Sequence, residues 1–231
     1  MEAIILAGGI GSRLDGYKDG NPKPMVDVGG KPFLEILLSK LESFGYSSIC
    51  LAVGHKSEII ISYFGNKYGK LDIAYSVEKE LLGTGGAIKQ ALTHVSSEIV
   101  TVINGDTLVD IDLTELNQFH LEKNAAMTVT AYALSNYDRY GTVVFDEDSK
   151  RITQFKEKSF TSQGSINAGV YVINRDIFDE FNLPEKFSFE SDFMEKEYEL
   201  IKEYAFLTQG YFIDIGIPDD LEKIRKDRAT S

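Results

Sequence analysis

Cysteine is almost absent from this chain: Cys50 is the single copy among 231 residues, inside the apolar run Ile49–Val53. One cysteine cannot form an internal disulfide, and its apolar neighbours indicate a buried hydrophobic residue and not a nucleophile. The sequence also lacks an apolar run of membrane-spanning length and a basic N-terminal segment leading into an apolar one. We therefore expect a cytoplasmic protein with no membrane partner.

Positive charge is scarce as well. The chain has 24 Lys and Arg against 36 Asp and Glu, a formal net charge of −12. Broad nucleic-acid binding needs a basic surface that neutralises phosphates, so this balance argues against a nucleic-acid partner. The three histidines, His55, His94 and His120, lack metal-ligand spacing and are interpreted as structural or solvated. An acidic protein that binds phosphates needs metal ions, helix N-termini and a few well-placed cations.

The first half of the chain alternates strand-like and helical patterns, which is typical of βαβ units. Strands are predicted near 3–6, 49–53, 73–77 and 99–103, and helices near 33–45, 57–68, 85–94 and 113–122. Asp112 and Glu115 form a plausible capping pair for the last of these helices. Such repetition predicts a mainly parallel sheet with helices on both faces, whose ligands gather at the carboxyl ends of the strands.

The pattern changes after about residue 125, where strands follow one another with little helix between them. Strands are predicted at 127–131, 142–145 and 168–173, and helices near 175–181, 189–202 and 217–227. The length of 231 residues and the 43% hydrophobic content fit one domain over 1–231. We expect the second half to extend the sheet and to build a small β-rich lid.

The most informative segment is Leu6–Leu14, which follows the first predicted strand and is followed by Pro22–Pro24. A glycine-rich loop at a strand end can place bare backbone N–H groups against phosphate oxygens, and Arg13 and Lys23 add positive charge. A dinucleotide fingerprint would need glycine where Leu14 stands, and a P-loop would need Ser or Thr where Pro32 follows Gly30-Lys31. A loop whose glycines serve geometry alone is the remaining alternative to phosphate binding.

Two aspartates follow predicted strands at distant places in the chain. Asp106 comes after the strand Val100–Ile103, and Asp214 lies between an apolar run and Pro218. Two carboxylates facing a triphosphate suit Mg²⁺, which takes few protein ligands together with phosphate oxygens and water. Taken singly, Asp106 could instead make a turn, and Asp214 could cap a helix.

A second glycine cluster follows the strand near 73–77. Glu78 and Glu80 precede Gly83 and Thr84, where a helix begins. Guanine has adjacent N–H donors on its Watson–Crick edge, so either carboxylate could accept from it, whereas uracil or thymine would suit an amide better. A charge-assisted contact contributes about 1.5–3 kcal/mol, enough for a base preference. A solvated acidic loop is the alternative.

These segments together resemble the sugar-1-phosphate nucleotidyltransferases. The loop resembles the pyrophosphate-binding signature of that family, with Ser12 in place of threonine, and Asp106 and Asp214 match its metal ligands. The segment from Glu78 resembles its guanylyl-transferring members, with Leu81 for proline and Gly85 for alanine. The resemblance implies a Rossmann-like three-layer α/β sandwich with a mainly parallel mixed sheet and a sugar-binding lid. The nucleotide-binding half would span about 1–124 and the sugar-binding half about 125–231.

The resemblance also implies a set of site residues. Arg13, Lys23, Asp106 and Asp214 would be catalytic, and the two aspartates would hold Mg²⁺. The nucleotide-binding residues would be Leu6, Ala7, Gly8, Gly9, Gly11, Ser12, Arg13, Glu78, Glu80, Gly83 and Thr84. The sugar-phosphate-binding residues would be Asn104, Gly141, Glu157, Lys158 and Asn167.

The expected substrates are GTP and a sugar 1-phosphate. The phrases around Gly141 and over Glu185–Glu190 are most similar to members of the family that act on a heptose 1-phosphate in bacterial surface-polysaccharide synthesis. Mannose 1-phosphate, another hexose 1-phosphate, and UTP or dTTP as the nucleotide remain alternatives. A non-catalytic regulatory subunit that binds nucleotide sugars is an alternative of a different class. The sequence leaves open whether the chain is a monomer or a homo-oligomer.

Overall fold

The first strand lies in the interior of the main sheet. The structure is a computed structural model that describes residues 1–17, 20–156 and 159–229. The strands are β1 (Glu2–Leu6), β2 (Ser48–Val53), β3 (Lys67–Tyr68), β4 (Leu71–Val77), β5 (Ile99–Asn104), β6 (Thr107–Val109), β7 (Met127–Tyr137), β8 (Thr142–Phe145), β9 (Ile152–Lys156), β10 (Thr161–Asn174), β11 (Glu203–Thr208) and β12 (Phe212–Asp214). The α-helices are α1 (Phe33–Ser43), α2 (Ser57–Phe64), α3 (Gly83–Ala91), α4 (Leu113–Glu122), α5 (Glu195–Glu197) and α6 (Pro218–Ala229).

The main sheet has the order β11-β7-β10-β5-β1-β2-β4-β3. Strands β5, β1, β2 and β4 run parallel, β10 runs antiparallel to β5 and to β7, and β11 runs parallel to β7. Ala3, Ile4 and Ile5 of β1 are fully buried, as expected for a parallel strand covered on both faces. The predicted mixed, mainly parallel α/β sheet is confirmed.

Alternate residues of β1 belong to two different hydrophobic cores, one on each face of the sheet. Ile5 packs in the core that includes Phe33 and Leu37 of α1, and Ile4 packs in the core that includes Ile88 of α3. Successive side chains of a strand point to opposite faces, so a continuous apolar run supplies both cores. The three-layer arrangement follows from this alternation.

The second half lengthens two strands and adds a hairpin. Strand β7 has 11 residues and β10 has 14, and the β8–β9 hairpin joins β10 where Thr142 pairs with Ile166. A separate two-stranded ribbon pairs β6 with β12 in antiparallel fashion. These elements form the β-rich extension that the sequence predicts. None of the described helices has the length and apolar character needed to cross a membrane.

Several element predictions were wrong in detail. The helix expected near 175–181 is a series of turns, in which Phe178 is buried and packs against Phe193. The helix expected over 57–68 ends at Phe64, where Gly65 has φ +61°, and β3 follows. The region 189–202 contains a π-helix over Phe189–Met194, the short α5, and turns. In the segments 175–181 and 189–202, packing of aromatic side chains such as Phe178 and Phe193 overrides local helix preference.

Candidate active site

The glycine loop runs from the end of β1 towards Lys23. The Ala7 N–H donates to the Ala52 carbonyl over 2.7 Å, which continues the sheet pairing into the loop. Gly11 has φ +61°, and a Cβ there would lie 2.8 Å from the Cβ of Lys23. A Cβ at Gly8 would collide with the Glu78 carboxylate. Glycine is therefore required at Gly11 by its backbone conformation, whereas a side chain at Gly8 would have to displace the Glu78 carboxylate.

A cavity of about 500 Å³ opens beside this loop, and we call it the loop cavity. It is lined by the loop, the start of α3 and the end of β5. The predicted nucleotide-binding and catalytic residues among its lining include Leu6, Ala7, Gly8, Gly9, Lys23, Glu78, Gly83 and Thr84. Asn104 and Asp106 line it as well. Gly11 lies next to Lys23, and Ser12 begins the 3₁₀ segment Ser12–Tyr17.

The β6–β12 ribbon brings the two predicted metal ligands together. Asp214 pairs with Thr107 in the ribbon, and the Ile215 N–H donates to the Asp106 carbonyl over 2.9 Å. The Lys23 ammonium lies 2.6 Å from Oδ2 of Asp106 and 4.0 Å from Oδ1 of Asp214. Lys23 is 9% exposed. A buried cation thus lies between two carboxylates that are distant in sequence.

The electrostatics of this group favour a cation. Burial raises the pKa of Asp214, and the negative charge of Asp106 raises it further, whereas Lys23 and the Gly216 N–H lower it. Burial and the nearby charge of Asp106 both disfavour the ionised form of Asp214. A positive charge close to the two carboxylates would favour that form. In the described parts of the chain, no three His, Cys, Asp or Glu residues form a metal cluster. Two carboxylates next to the predicted phosphate-binding loop nevertheless fit a hard divalent ion that keeps water and phosphate ligands.

The segment between β4 and α3 places Glu78 and Glu80 differently. Glu78 lines the loop cavity, its Oε2 accepts from the Leu82 N–H over 3.0 Å, and its half-burial raises the pKa of the carboxyl. Glu80 is exposed and lines a neighbouring open depression. Of the two predicted base-binding carboxylates, the structure therefore brings Glu78 to the loop cavity and leaves Glu80 outside it.

The glycines at the start of α3 allow close packing against the segment 185–189. Gly83 has φ +74°, and the Gly85 N–H donates to the Phe187 carbonyl over 3.0 Å. A Cβ at Gly85 would overlap the Phe187 ring, which explains glycine where the resembling motif has alanine. The Thr84 hydroxyl donates to Oε2 of Glu190 over 2.6 Å. This part of the second half is thereby fixed to the rim of the loop cavity.

A second cavity of about 430 Å³, which we call the hairpin cavity, lies between the β8–β9 hairpin, β10 and the ribbon. Predicted site residues on its wall are Arg13, Asn104, Asp106, Gly141, Asn167 and Asp214. Arg13, which was predicted to bind the nucleotide, thus lies on this wall and not among the lining residues of the loop cavity. Asn104 and Asp106 line both cavities. Glu157 and Lys158, which were also predicted to bind the sugar phosphate, lie outside the described residues.

Hydrogen bonds fix the amide groups on the floor of the hairpin cavity. Oδ1 of Asn167 accepts from the Gly169 N–H over 2.9 Å, and its Nδ2 donates to the Tyr171 hydroxyl over 2.8 Å. Oδ1 of Asn104 is buried and has no hydrogen-bond partner among the described residues. A buried acceptor without a partner is costly, so this oxygen is suited to a ligand hydroxyl at the boundary between the cavities.

Three residues on the wall of the hairpin cavity received no role from sequence reasoning. The Arg139 guanidinium donates to Asp220 of α6 over 2.7 Å, and Glu190 accepts from Thr84. Arg139 lies two residues before Gly141, and Glu190 ends the segment Glu185–Glu190. Both residues therefore belong to segments that resemble the family, although neither was given a role. Asp220 lay in a predicted helix, and no local pattern indicates that its partner is Arg139.

Comparisons with known proteins show which family this chain resembles over its whole length. A family model described as "Nucleotidyl transferase" matches residues 2–231. A D-glycero-alpha-D-manno-heptose 1-phosphate guanylyltransferase of Aneurinibacillus thermoaerophilus is 47% identical, over 98% of each chain. The protein of that name from Campylobacter jejuni is 44% identical, over 95% of this chain and 96% of its own.

More distant relatives and solved structures extend the comparison. A mannose-1-phosphate guanyltransferase of Yarrowia lipolytica is 33% identical, over 95% of this chain and 62% of its own. The crystal structure of HddC from Yersinia pseudotuberculosis superposes with a TM-score of 0.88 at 36% identity, covering 98% of this chain and 99% of that one. HddC complexed with GMP-PN superposes with a TM-score of 0.85.

Proposed function

The chain belongs to the nucleotidyl transferase family, whose model matches residues 2–231, and from this premise we propose that it transfers GMP from GTP to a sugar 1-phosphate. The acceptor in this proposal is D-glycero-α-D-manno-heptose 1-phosphate, and the products are the GDP-heptose and pyrophosphate. The names of the relatives at 47% and 44% identity support both substrates. The GMP-PN complex of HddC supports a guanine nucleotide.

The structural observation that carries the proposal is the shared wall of the two cavities. Asn104 and Asp106 line both, and Lys23 and Asp214 lie beside Asp106. A triphosphate held by the backbone of the glycine loop would then meet a sugar phosphate in the hairpin cavity at this boundary. Holding two substrates in line at one boundary accelerates the reaction between them through positioning alone.

The chemistry needs no general base from the protein. A phosphate monoester has a second pKa of about 6, so the sugar phosphate is largely dianionic at neutral pH and attacks the α-phosphorus directly. Arg13 would stabilise charge on the departing pyrophosphate, and Lys23 would contact phosphates of both substrates. Lys158, outside the described residues, would orient the attacking phosphate. Catalysis is then mainly positioning and charge neutralisation.

Asp106 and Asp214 would hold the divalent metal, which we propose to be Mg²⁺. When bound, the ion neutralises charge on the phosphates of the nucleotide. The two carboxylates fit this role because burial and mutual repulsion raise the pKa of Asp214, and a cation relieves both effects. Since GTP is an intracellular metabolite, we propose that the reaction takes place in the cytoplasm.

Mannose 1-phosphate is the second candidate acceptor. It is favoured by the relative named mannose-1-phosphate guanyltransferase, at the lower identity of 33%. Heptose adds one hydroxylated carbon to the mannose framework, so discrimination between the two depends on contacts beyond the shared ring. The Arg139–Asp220 pair on the cavity wall offers one donor and one acceptor for such contacts.

The decisive experiment is a matrix of nucleotides against sugar phosphates. GTP, ATP, CTP, UTP and dTTP are each combined with the heptose, mannose and glucose 1-phosphates, and pyrophosphate release is measured with Mg²⁺ or with EDTA. We expect the highest kcat/KM for GTP with the heptose phosphate and no turnover in EDTA. Preference for mannose 1-phosphate would reassign the acceptor, and absence of turnover in every combination would support a regulatory subunit instead.

A further inference from the structure

We propose that Lys186 is a specificity residue for the nucleobase. In this inference its ammonium donates to O6 of guanine, while Glu78 accepts from the N1–H and the 2-amino group. The inference rests on the proposed use of GTP and extends it by naming a residue from the second half of the chain as part of base selection. Sequence reasoning gave Lys186 no role.

The position of Lys186 supports this role. Its side chain is exposed and lines both the loop cavity and the neighbouring depression around Glu80 and Leu82. Glu78 lines the same loop cavity. A cation and a carboxylate therefore border the space beside the start of α3, where the base of a nucleotide would lie once its phosphates contact the glycine loop.

The backbone at Lys186 is fixed to the loop that precedes α3. The Phe187 N–H donates to the Leu82 carbonyl over 3.0 Å, and the Phe187 carbonyl accepts from the Gly85 N–H over 3.0 Å. The Phe187 ring is 2% exposed and packs edge-on against Phe178 with centroids 5.5 Å apart. Because Lys186 directly precedes this anchored residue, its side chain starts from a fixed point at the cavity rim.

The Glu78 carboxylate is held in place at the loop cavity, where it can accept hydrogen bonds from a base. Its Oε2 accepts from the Leu82 N–H over 3.0 Å, and its Oε1 is directed at Gly8 of the glycine loop. Half-burial of the carboxyl removes water from it. Donors on the base would replace the lost hydration, and a hydrogen bond to a charged group in such a place is among the stronger ones.

The two side chains together match the Watson–Crick edge of guanine better than that of adenine or uracil. Guanine has an acceptor at O6 beside donors at N1 and N2, so an ammonium and a carboxylate are both satisfied. Adenine has a donor at N6 where the ammonium would lie and an acceptor at N1 where the carboxylate would lie. Uracil has one N–H donor between two acceptors, which leaves a carbonyl facing the carboxylate.

The test compares Lys186→Ala with Lys79→Ala as a matched control. Lys79 is an exposed lysine of the same depression and does not line the loop cavity. We measure kcat/KM with GTP, ITP and ATP, and we measure binding of GDP and ADP by calorimetry. ITP retains O6 and lacks the 2-amino group, whereas ATP lacks O6. A Lys186→Arg variant retains a cationic donor.

We expect Lys186→Ala to lower kcat/KM for GTP and for ITP alike by about ten- to a hundredfold. Activity with ATP stays at the wild-type level, the affinity for GDP falls while that for ADP does not, and Lys186→Arg recovers part of the loss. Lys79→Ala leaves all values unchanged. The side chain of Lys186 is exposed, so melting temperatures of the variants should equal that of the wild type.

Two outcomes would overturn the inference while leaving the proposed function intact. Equal losses for GTP, ITP and ATP would identify Lys186 as a general attractor of triphosphate, and unchanged GTP kinetics would remove it from the site. A wild-type enzyme that prefers UTP or ATP would instead overturn the proposed function, and with it the inference. The wild-type nucleotide comparison therefore separates the two failures.

Discussion

The Thr84 hydroxyl donates a hydrogen bond of 2.6 Å to the Glu190 carboxylate. Thr84 lies at the start of α3 on the loop cavity, and Glu190 lies in the π-helix on the wall of the hairpin cavity. The Phe189 N–H in turn donates to the Thr84 hydroxyl over 2.8 Å. One threonine thus joins the walls of two cavities, each of which is proposed to hold a different substrate.

Breaking this contact should lower the stability of the folded protein. We expect Thr84→Val to lower the free energy of unfolding by about 1–3 kcal/mol, because a half-buried carboxylate loses its shortest hydrogen bond. A double-mutant cycle with Glu190→Gln, measured by urea unfolding, should give a coupling energy of about 1 kcal/mol or more. Thr93→Val, which removes a hydroxyl bonded to the exposed Gln90 carbonyl, is the control. Additive effects of the two changes would show that the contact is not formed.

Asp106→Asn and Asp214→Asn test the cation site. Each change removes a negative charge beside Lys23, and we expect kcat to fall by about a hundred- to a thousandfold, since charge at the phosphates is no longer neutralised. Pyrophosphate release is followed over a titration with Mg²⁺. Asp148→Asn, in the exposed turn of the β8–β9 hairpin, should behave as the wild type. Near-normal turnover of either variant would remove that aspartate from the metal role.

Gly85→Ala should destabilise the protein although it lies inside a helix. Replacing a helical glycine by alanine ordinarily stabilises by about 1 kcal/mol. Here the new Cβ overlaps the Phe187 ring, so we expect a loss of about 1–3 kcal/mol from displaced packing, together with a higher KM for GTP. Thermal unfolding gives the sign directly. Gly16→Ala is the comparison, because nothing lies within 4 Å of a Cβ at that position.

Glu203 of β11 should make stability depend on pH. It is 0% exposed, and neither carboxylate oxygen has a hydrogen-bond partner among the described residues. Burial raises the pKa of this carboxyl well above its usual value, and the charge of Arg151 offsets part of that shift. The folded state therefore retains the proton when the unfolded chain releases it. This difference means that the free energy of unfolding falls as pH rises above the ordinary glutamate range.

Glu203→Gln removes this titration. We expect the variant to be more stable than the wild type at neutral pH and to lose that advantage towards pH 4, measured by urea unfolding across pH. Glu180→Gln, at an exposed position, should follow the wild-type profile. A wild type whose stability relative to the variant does not change with pH would show that the carboxyl is solvated or paired.

The sequence predicts most of the fold because its signals are local. The helix over 113–122 was placed correctly, and Oδ1 of Asp112 accepts from the N–H groups of Thr114 and Glu115 as a capping residue should. Strand β1 was identified from its uniformly apolar residues, since burial on both faces leaves no alternation. Strand β11 was missed because Glu203, a residue atypical of a buried strand, stands at its start.

The site is predicted less completely than the fold. The glycine loop, Asp106 and Asp214 carry recognisable motifs, and the structure brings them to one boundary. The contacts of Thr84 with Glu190 and of Arg139 with Asp220 join side chains that no local pattern pairs. Glu78 and Glu80 are equivalent acids in the sequence, and only the path of the chain after β4 separates them. Three-dimensional proximity is what the sequence pattern does not encode at these positions.

The short ribbon of β6 and β12 has a consequence for biosynthesis. Asp106 leaves the ribosome long before Asp214, and their side chains come together only when β12 pairs with β6. A nascent polypeptide can therefore display its complete glycine loop while the cation position beside it is still half made. With the proposed metal role of Asp106 and Asp214, turnover would begin only after β12 has paired with β6.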